Sequence, residues 1–231
     1  MPAQHLSAAA RRRPGCISVP DQHTVGESMR RKRWATFAAR FPEIEEMRVL
    51  DVGGYARAWA DAGVRPRHLT LLNLDGQPEP LEPWMTSVHG DACDPLDLGS
   101  FDLVYSNSVI EHVGGHWRRE RYAALVRRSA PRYWVQTPYR YFPIEPHFLM
   151  PAMQHLPLSF QARLVTRWPV GSYRVVKDRE TALRDAMGVE LLGRSQLGAY
   201  FPGAELLAER VGPFVKSLIA IRDPSDALSA D

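Results

Sequence analysis

Arg48-Val49-Leu50-Asp51-Val52-Gly53-Gly54 decides the fold. An apolar run suited to a β-strand ends in a carboxylate and then in two residues without side chains. Glycine there lets the backbone turn sharply and lets a ligand lie against it. A dinucleotide site would place GxGxxG at this point. Counting from Gly53, the second and third glycine positions hold Tyr55 and Ala58, so the backbone cannot approach a pyrophosphate in that way. Asp51 would in addition repel two phosphates. A carboxylate in this place suits a ligand that carries positive charge, such as an ammonium or a sulfonium group.

Outward from this run, short β-rich stretches alternate with helical ones, the pattern of parallel strands covered by helices on both faces. Strands are predicted at Arg48–Val52, His68–Leu74, Met85–His89, Phe101–Ser106 and Arg132–Gln136, with helices at Ala56–Ala62 and Trp117–Arg128 and a turn-rich stretch at Asp75–Pro83. Before them, Met29, Trp34, Phe37 and Ala38 recur at helical spacing, which predicts an amphipathic helix over Glu27–Phe41 with Arg30, Arg31 and Arg33 turned outward and Pro42 helping to end it. After Thr137 the chain turns to Pro and aromatic residues. The run 138–157 is read as a lid or binding wall within an inserted segment, 138–170. Further helices are expected at Leu158–Arg167 and Arg179–Met187. A final hairpin is expected from Ala204–Val211 and Phe214–Arg222 around Gly212-Pro213.

The 231 residues suffice for one large α/β domain, and 45% hydrophobic with 24% charged residues is ordinary for a globular chain. Residues 1–25 lack apolar periodicity and are read as a disordered basic arm, leaving 26–231 as the domain. Residues 1–40 carry eight basic against two acidic side chains, a net +6, while the rest carries 21 against 24, a net −3. Such an asymmetry admits contact with nucleic acid, but no aromatic residue interleaves Arg11–Arg13, so a solvated tail is favoured. Cys16 and Cys93 form no CxxC pair, and no apolar run reaches the length of a bilayer span. A cytoplasmic protein without membrane contact is expected. GxSxG, GxxxxGK[ST] and HExxH are absent from the sequence, against hydrolase, P-loop and zinc-peptidase readings.

The opening run resembles the first motif of class I S-adenosylmethionine-dependent methyltransferases, a strand ending in an acid followed by a glycine-rich turn. The family pattern is GxGxG; here Gly54 takes the intervening place, and Tyr55 and Arg57 take the later glycines. Gly90-Asp91-Ala92 resembles the family's adenine-binding turn. The stretch Phe101-Asp102-Leu103-Val104-Tyr105-Ser106-Asn107-Ser108-Val109-Ile110-Glu111-His112-Val113 is similar to the fourth-strand motif of the methyltransferase type 11-like subgroup, which includes the ubiquinone and menaquinone methyltransferases. The motifs fall in order across about residues 48 to 137. The resemblance implies a Rossmann-like α/β fold, a three-layer α/β/α sandwich around a seven-stranded, mostly parallel sheet. It implies S-adenosyl-L-methionine as cosubstrate, and methyl transfer by in-line displacement. It carries over Asp51, Gly53 and Gly54 to the donor's methionine portion, Asp91 and Ala92 to its adenine, and Ser106 and Asn107 to the strand end facing it. The ribose diol falls to Asn73, at the expected position, or to Asp75 two residues on.

His112, and His147 in the presumed lid, are the candidates for a general base, useful if the acceptor is a hydroxyl; a structural role for each is the plainer reading. No compact set of metal ligands is present, and no metal is expected. A small-molecule acceptor is favoured, and the aromatic run 138–157 suits one with planar or apolar surface or, equally, packing on the sheet edge. A nucleic-acid methyltransferase is a lesser alternative, since no Asn-Pro-Pro-Tyr or Asp-Pro-Pro-Tyr signature occurs. A binding protein that has kept the fold without catalysis is another. The acceptor, the atom methylated and the oligomeric state are left open by the sequence.

Overall fold

The computed structural model describes residues 25–77, 80–145, 150–167, 180, 181, 183 and 187–224. The N-terminal arm, except its last residue, His147 and most of the expected helix at Arg179–Met187 lie outside them. In chain order the elements are α1 (Val25–Arg40), β1 (Arg48–Val52), α2 (Ala56–Ala62), β2 (His68–Asn73), β3 (Met85–His89) and β4 (Leu103–Asn107). There follow α3 (His116–Ser129), β5 (Arg132–Pro138), β6 (Ile144–Glu145), β7 (Met150–Pro151), α4 (Leu158–Arg167), α5 (Arg194–Tyr200), β8 (Glu205–Val211) and β9 (Phe214–Arg222).

β1 is buried at four of its five residues because it is flanked on both edges, by β2 and by β4, each parallel to it. Strands shut in on both faces read as unbroken apolar runs, which is why these segments were legible in the sequence. β3 extends the sheet beyond β2, and β5 extends it beyond β4, again in parallel. β9 then inserts antiparallel between β5 and β8, giving the order β3-β2-β1-β4-β5-β9-β8 in an open seven-stranded sheet. The expected hairpin is present, with Gly212 at φ +56° in its turn. A bulge interrupts the β8–β9 ladder between Glu209 and Arg210.

Helices cover both faces, as a three-layer sandwich requires. On one face Phe37 of α1, Phe41 just beyond its end and Trp59 of α2 pack on Val49, Leu69, Leu71 and Leu103, all fully or nearly fully buried. Each such ring contributes roughly 2–3 kcal/mol by burial. On the other, Tyr122, Ala123 and Val126 of α3 pack with Leu197 and Tyr200 of α5 on Leu50, Val104 and Val135. The buried positions of α3 at 119, 122, 123 and 126 follow helical spacing.

Two sequence expectations need correction. Arg31 is exposed, but Arg33 is turned inward: only 10% of its side chain is exposed, and both Glu209 carboxylate oxygens hold its guanidinium. Helical spacing alone could not foresee this, since its partner lies 176 residues away. The run 138–157 is less irregular than expected. β6 and β7 form a small separate ladder, and the Gln154 amide donates to the carbonyls of Arg140 and Phe142. α5 was not anticipated. Among the described residues no helix is long and apolar enough to cross a membrane.

Candidate functional site

Two adjoining clefts open at the carboxyl ends of the parallel strands, the place where open α/β sheets receive ligands. The larger, about 500 Å³, runs from the turn after β1 past the ends of β2 and β3. The smaller, about 350 Å³, lies between that turn and α1. Gly53, Tyr55 and Ser108 line both and mark the junction.

Asp51 stands at the inner end of the smaller cleft, 1% exposed. The indole N–H of Trp59 donates to its Oδ2 at 2.7 Å, whereas Oδ1 is buried with no hydrogen-bond partner among the described residues. An aromatic group explains the burial: Trp34 stacks on Tyr105 at 5.1 Å, and Trp59 meets the same tyrosine edge-on at 5.2 Å. Burial raises the Asp51 pKa to about 7, the Trp59 hydrogen bond offsetting part of the rise. The Tyr105 hydroxyl, its neighbour across the β1–β4 ladder, is pushed well up by its own burial and then by the Asp51 charge.

The two glycines have distinct physical reasons. Gly53 adopts φ +81°, and a side chain there would meet Val109 at 2.4 Å. Gly54 lies directly over Asp51, so that an added Cβ would stand 1.7 Å from Oδ2. Tyr55 stands without strain where a glycine was expected from the resemblance, because its φ of −119° and ψ of 143° are open to any residue. The turn is pinned from β2: the Asn73 amide donates to the Gly54 carbonyl at 2.8 Å, and the Gln77 side chain donates to the same oxygen while accepting from the Ala56 N–H.

Of the other residues expected at the site, Asn73, Asp75, Asp91, Ala92 and His112 line the larger cleft. Asp75 is exposed. Asp91 accepts from the Cys93 N–H at 2.8 Å and from Arg118 at 2.6 Å. Partial burial draws its pKa upward, but the Arg118 hydrogen bond, the Cys93 N–H and the Arg118 charge outweigh this and hold it below the usual range. His112 is exposed at the rim, its Nδ1 at 3.3 Å from the Gly188 carbonyl. Its neighbour Glu111 is buried and accepts from the Thr137 hydroxyl at 2.9 Å.

Ser106 and Asn107 do not face the larger cleft. Ser106 is fully buried, and its hydroxyl donates to the Val52 carbonyl, tying β4 to β1. Asn107 lines the smaller cleft and accepts from Arg33 at 2.6 Å. β4 runs one residue further than expected, so the position facing the junction passes to Ser108. That residue adopts φ +58°, and its hydroxyl donates to the Gln136 side chain at 2.9 Å. Sequence reasoning also missed Arg118, Arg33 and Trp34 as cleft residues; Arg118, the third residue of α3, carries the signal of a cation in a helix's first turn, where the helix dipole disfavours it. The described parts of 138–157 line neither cleft.

No protein-family model matches the chain, and no curated protein matches it in sequence. Solved structures do. The N-methyltransferase NodS from Bradyrhizobium japonicum WM9 matches with a TM-score of 0.50 at 8% identity, over 87% of this chain and 97% of that one. The 1,6-didemethyltoxoflavin-N1-methyltransferase of Burkholderia thailandensis, solved with 1,6-didemethyltoxoflavin and S-adenosylhomocysteine bound, gives 0.51 at 15% identity, over 84% and 77%. A SAM-dependent methyltransferase from Anabaena variabilis ATCC 29413 gives 0.51 at 10%, over 81% and 82%.

Proposed function

The chain has the fold of the class I S-adenosylmethionine-dependent methyltransferases, and from that premise we propose that it transfers a methyl group from S-adenosyl-L-methionine to a small-molecule acceptor. The observation that carries this reading is Asp51, buried, half-satisfied and covered by a glycine that leaves no room for a side chain. A buried carboxylate oxygen without a donor is costly. The α-ammonium of an amino-acid group supplies the missing partner, so the residues present fit the methionine end of the donor.

When bound, the donor supplies an electrophilic sulfonium methyl group. The chain's own contribution is placement. Asn73 and Gln77 hold the Gly53–Gly54 turn in shape. Asp75, with no hydrogen bond to any described residue, offers both carboxylate oxygens to the ribose diol, while Asn73 spends one of its two amide N–H groups on the Gly54 carbonyl and has a single acceptor oxygen to offer. Asp91, oriented by Arg118 and the Cys93 N–H, keeps lone pairs for the adenine amino group, with Ala92 beside it. Ser108 and Tyr55 flank the junction across which donor and acceptor meet, and excluding water there favours an in-line displacement. His112 lines the larger cleft, four residues beyond Ser108 at the junction, and serves as base only for a hydroxyl acceptor that extends across that junction. A small-molecule acceptor is supported by the Burkholderia neighbour, which was solved with such a molecule bound.

Calorimetry with S-adenosylhomocysteine tests the proposal. Binding is expected for the wild-type chain and is expected to be lost in Asp51→Ala. Absence of binding to the wild type would leave only a fold without its cosubstrate.

A further inference from the structure

The smaller cleft has an electrostatic character that donor binding does not explain. Its α1 wall presents Arg30, Arg33 and Trp34, which helical spacing of three and four residues puts on one face. Arg33 is held rigidly. Of its five N–H groups, Nε and one on Nη2 go to Glu209, and one on Nη1 goes to Asn107, leaving two uncommitted. Glu209, which also accepts from the Ser217 hydroxyl, balances the Arg33 charge. Arg30 has no ion-pair partner among the described residues. Lys216, next to Ser217 on β9, is half-buried. Its pKa is drawn down by desolvation and then by the Arg33 charge, with Glu209 opposing and Arg30 adding to the fall. On the cleft wall itself, the positive charge of Arg30 is therefore the one left uncompensated among the described residues.

A donor with a sulfonium, an ammonium and a carboxylate is net +1, and ionised Asp51 brings the sum to zero. Donor binding therefore leaves the Arg30 cation of the cleft wall without a counter-charge, and a second ligand that carries an anion supplies one. Trp34 and Tyr55 provide flat apolar walls in the same cleft; 55% of Tyr55 is exposed.

We propose that the smaller cleft receives the methyl acceptor, and that it selects planar molecules bearing a carboxylate or phosphate, recognised by Arg30 and the uncommitted N–H groups of Arg33. This rests on the function proposed above. Arg33 is preorganised by Glu209 and Asn107, so little ordering accompanies recognition. Lys216 adds field from the β9 side.

The full chain, saturated with S-adenosylhomocysteine, is titrated with benzoate, phenyl phosphate and the neutral benzamide, with binding read by ligand-observed NMR. The anions are expected to bind about tenfold more tightly than benzamide, and Arg30→Glu is expected to remove about that preference. Affinity of the variant for S-adenosylhomocysteine itself is expected to stay within about twofold, since the zwitterionic end of that ligand carries no net charge for Arg30 to hold or repel. Lys216→Gln, tested alongside, is expected to weaken the anions to a smaller degree. Equal binding of benzamide and benzoate to the wild type would overturn the inference. So would an Arg30→Glu chain that loses S-adenosylhomocysteine in the same proportion, since the cations would then serve the donor's own carboxylate. Failure of the wild type to bind S-adenosylhomocysteine at all would remove the methyl-transfer reading, and this one with it.

Discussion

Titration of Asp51 should make donor affinity depend on pH. Burial lifts this carboxyl from 3.8 to about 7, so near neutrality it is only partly ionised in the free protein. If the ionised form alone accepts the ammonium, the carboxyl must lose its proton whenever the ligand binds. At pH 6 about nine chains in ten carry that proton and at pH 8 about one in ten, which makes S-adenosylhomocysteine bind about tenfold more weakly at pH 6. Calorimetry at pH 6 in two buffers of different ionisation enthalpy should register release of about 0.9 proton per ligand bound. The same shift has a stability counterpart. A carboxyl whose folded pKa lies above its unfolded value binds more protons in the folded state, so between about pH 4 and pH 7 stability falls as pH rises. Because Asp51 is 1% exposed, no discount for solvent applies, and the cost at pH 8 is on the order of 4 kcal/mol. Asp51→Asn should accordingly raise the Tm of the ligand-free chain at pH 8, with the gain fading toward pH 4, while abolishing ligand binding. An affinity unchanged between pH 6 and pH 8, with no buffer-dependent heat, would take this carboxylate out of the binding step.

Gly54→Ala drives a methyl group into the Asp51 carboxylate and should cost at least about 2 kcal/mol, with loss of S-adenosylhomocysteine binding; a wild-type melting curve would show that the turn does not lie as described. Glu209→Gln removes the counter-charge of a side chain that is nine-tenths buried, and should destabilise by about 3 kcal/mol in chemical denaturation, with a double-mutant cycle against Arg33→Met recovering most of that loss. Asp75→Ala should raise the Kd for S-adenosylhomocysteine about tenfold without moving Tm, whereas Asn73→Ala should lower both affinity and Tm because it also releases the Gly54 carbonyl. If Asp75→Ala binds normally, the diol is held elsewhere.

The sheet was legible because its strands are closed in by neighbours and bounded by turn residues. β1, β3 and β9, with α2 and α4, begin and end where the pattern placed them. Asp51, Gly53 and Gly54, expected together from the sequence, do come together on the wall of one cleft because they follow one another at the end of a central strand. What stayed hidden depends on partners distant in the chain. The inward turn of Arg33 follows from Glu209, and the orientation of Asp91 follows from Arg118, 27 residues on. Ser106 was misplaced by a single residue, because where a strand stops is set by its ladder with β5 and not by its own composition. α5, seven residues with Gly198 inside, carries too little apolar periodicity to announce itself, and forms because Leu197 and Tyr200 have a core to enter.

The salt link from α1 to β8 joins the earliest described element to one of the last. The group that fixes Arg33 in the wall of the smaller cleft is thus borne by a strand 176 residues further along the chain. Truncating the closing hairpin would remove that hold while leaving every residue of the larger cleft in the chain.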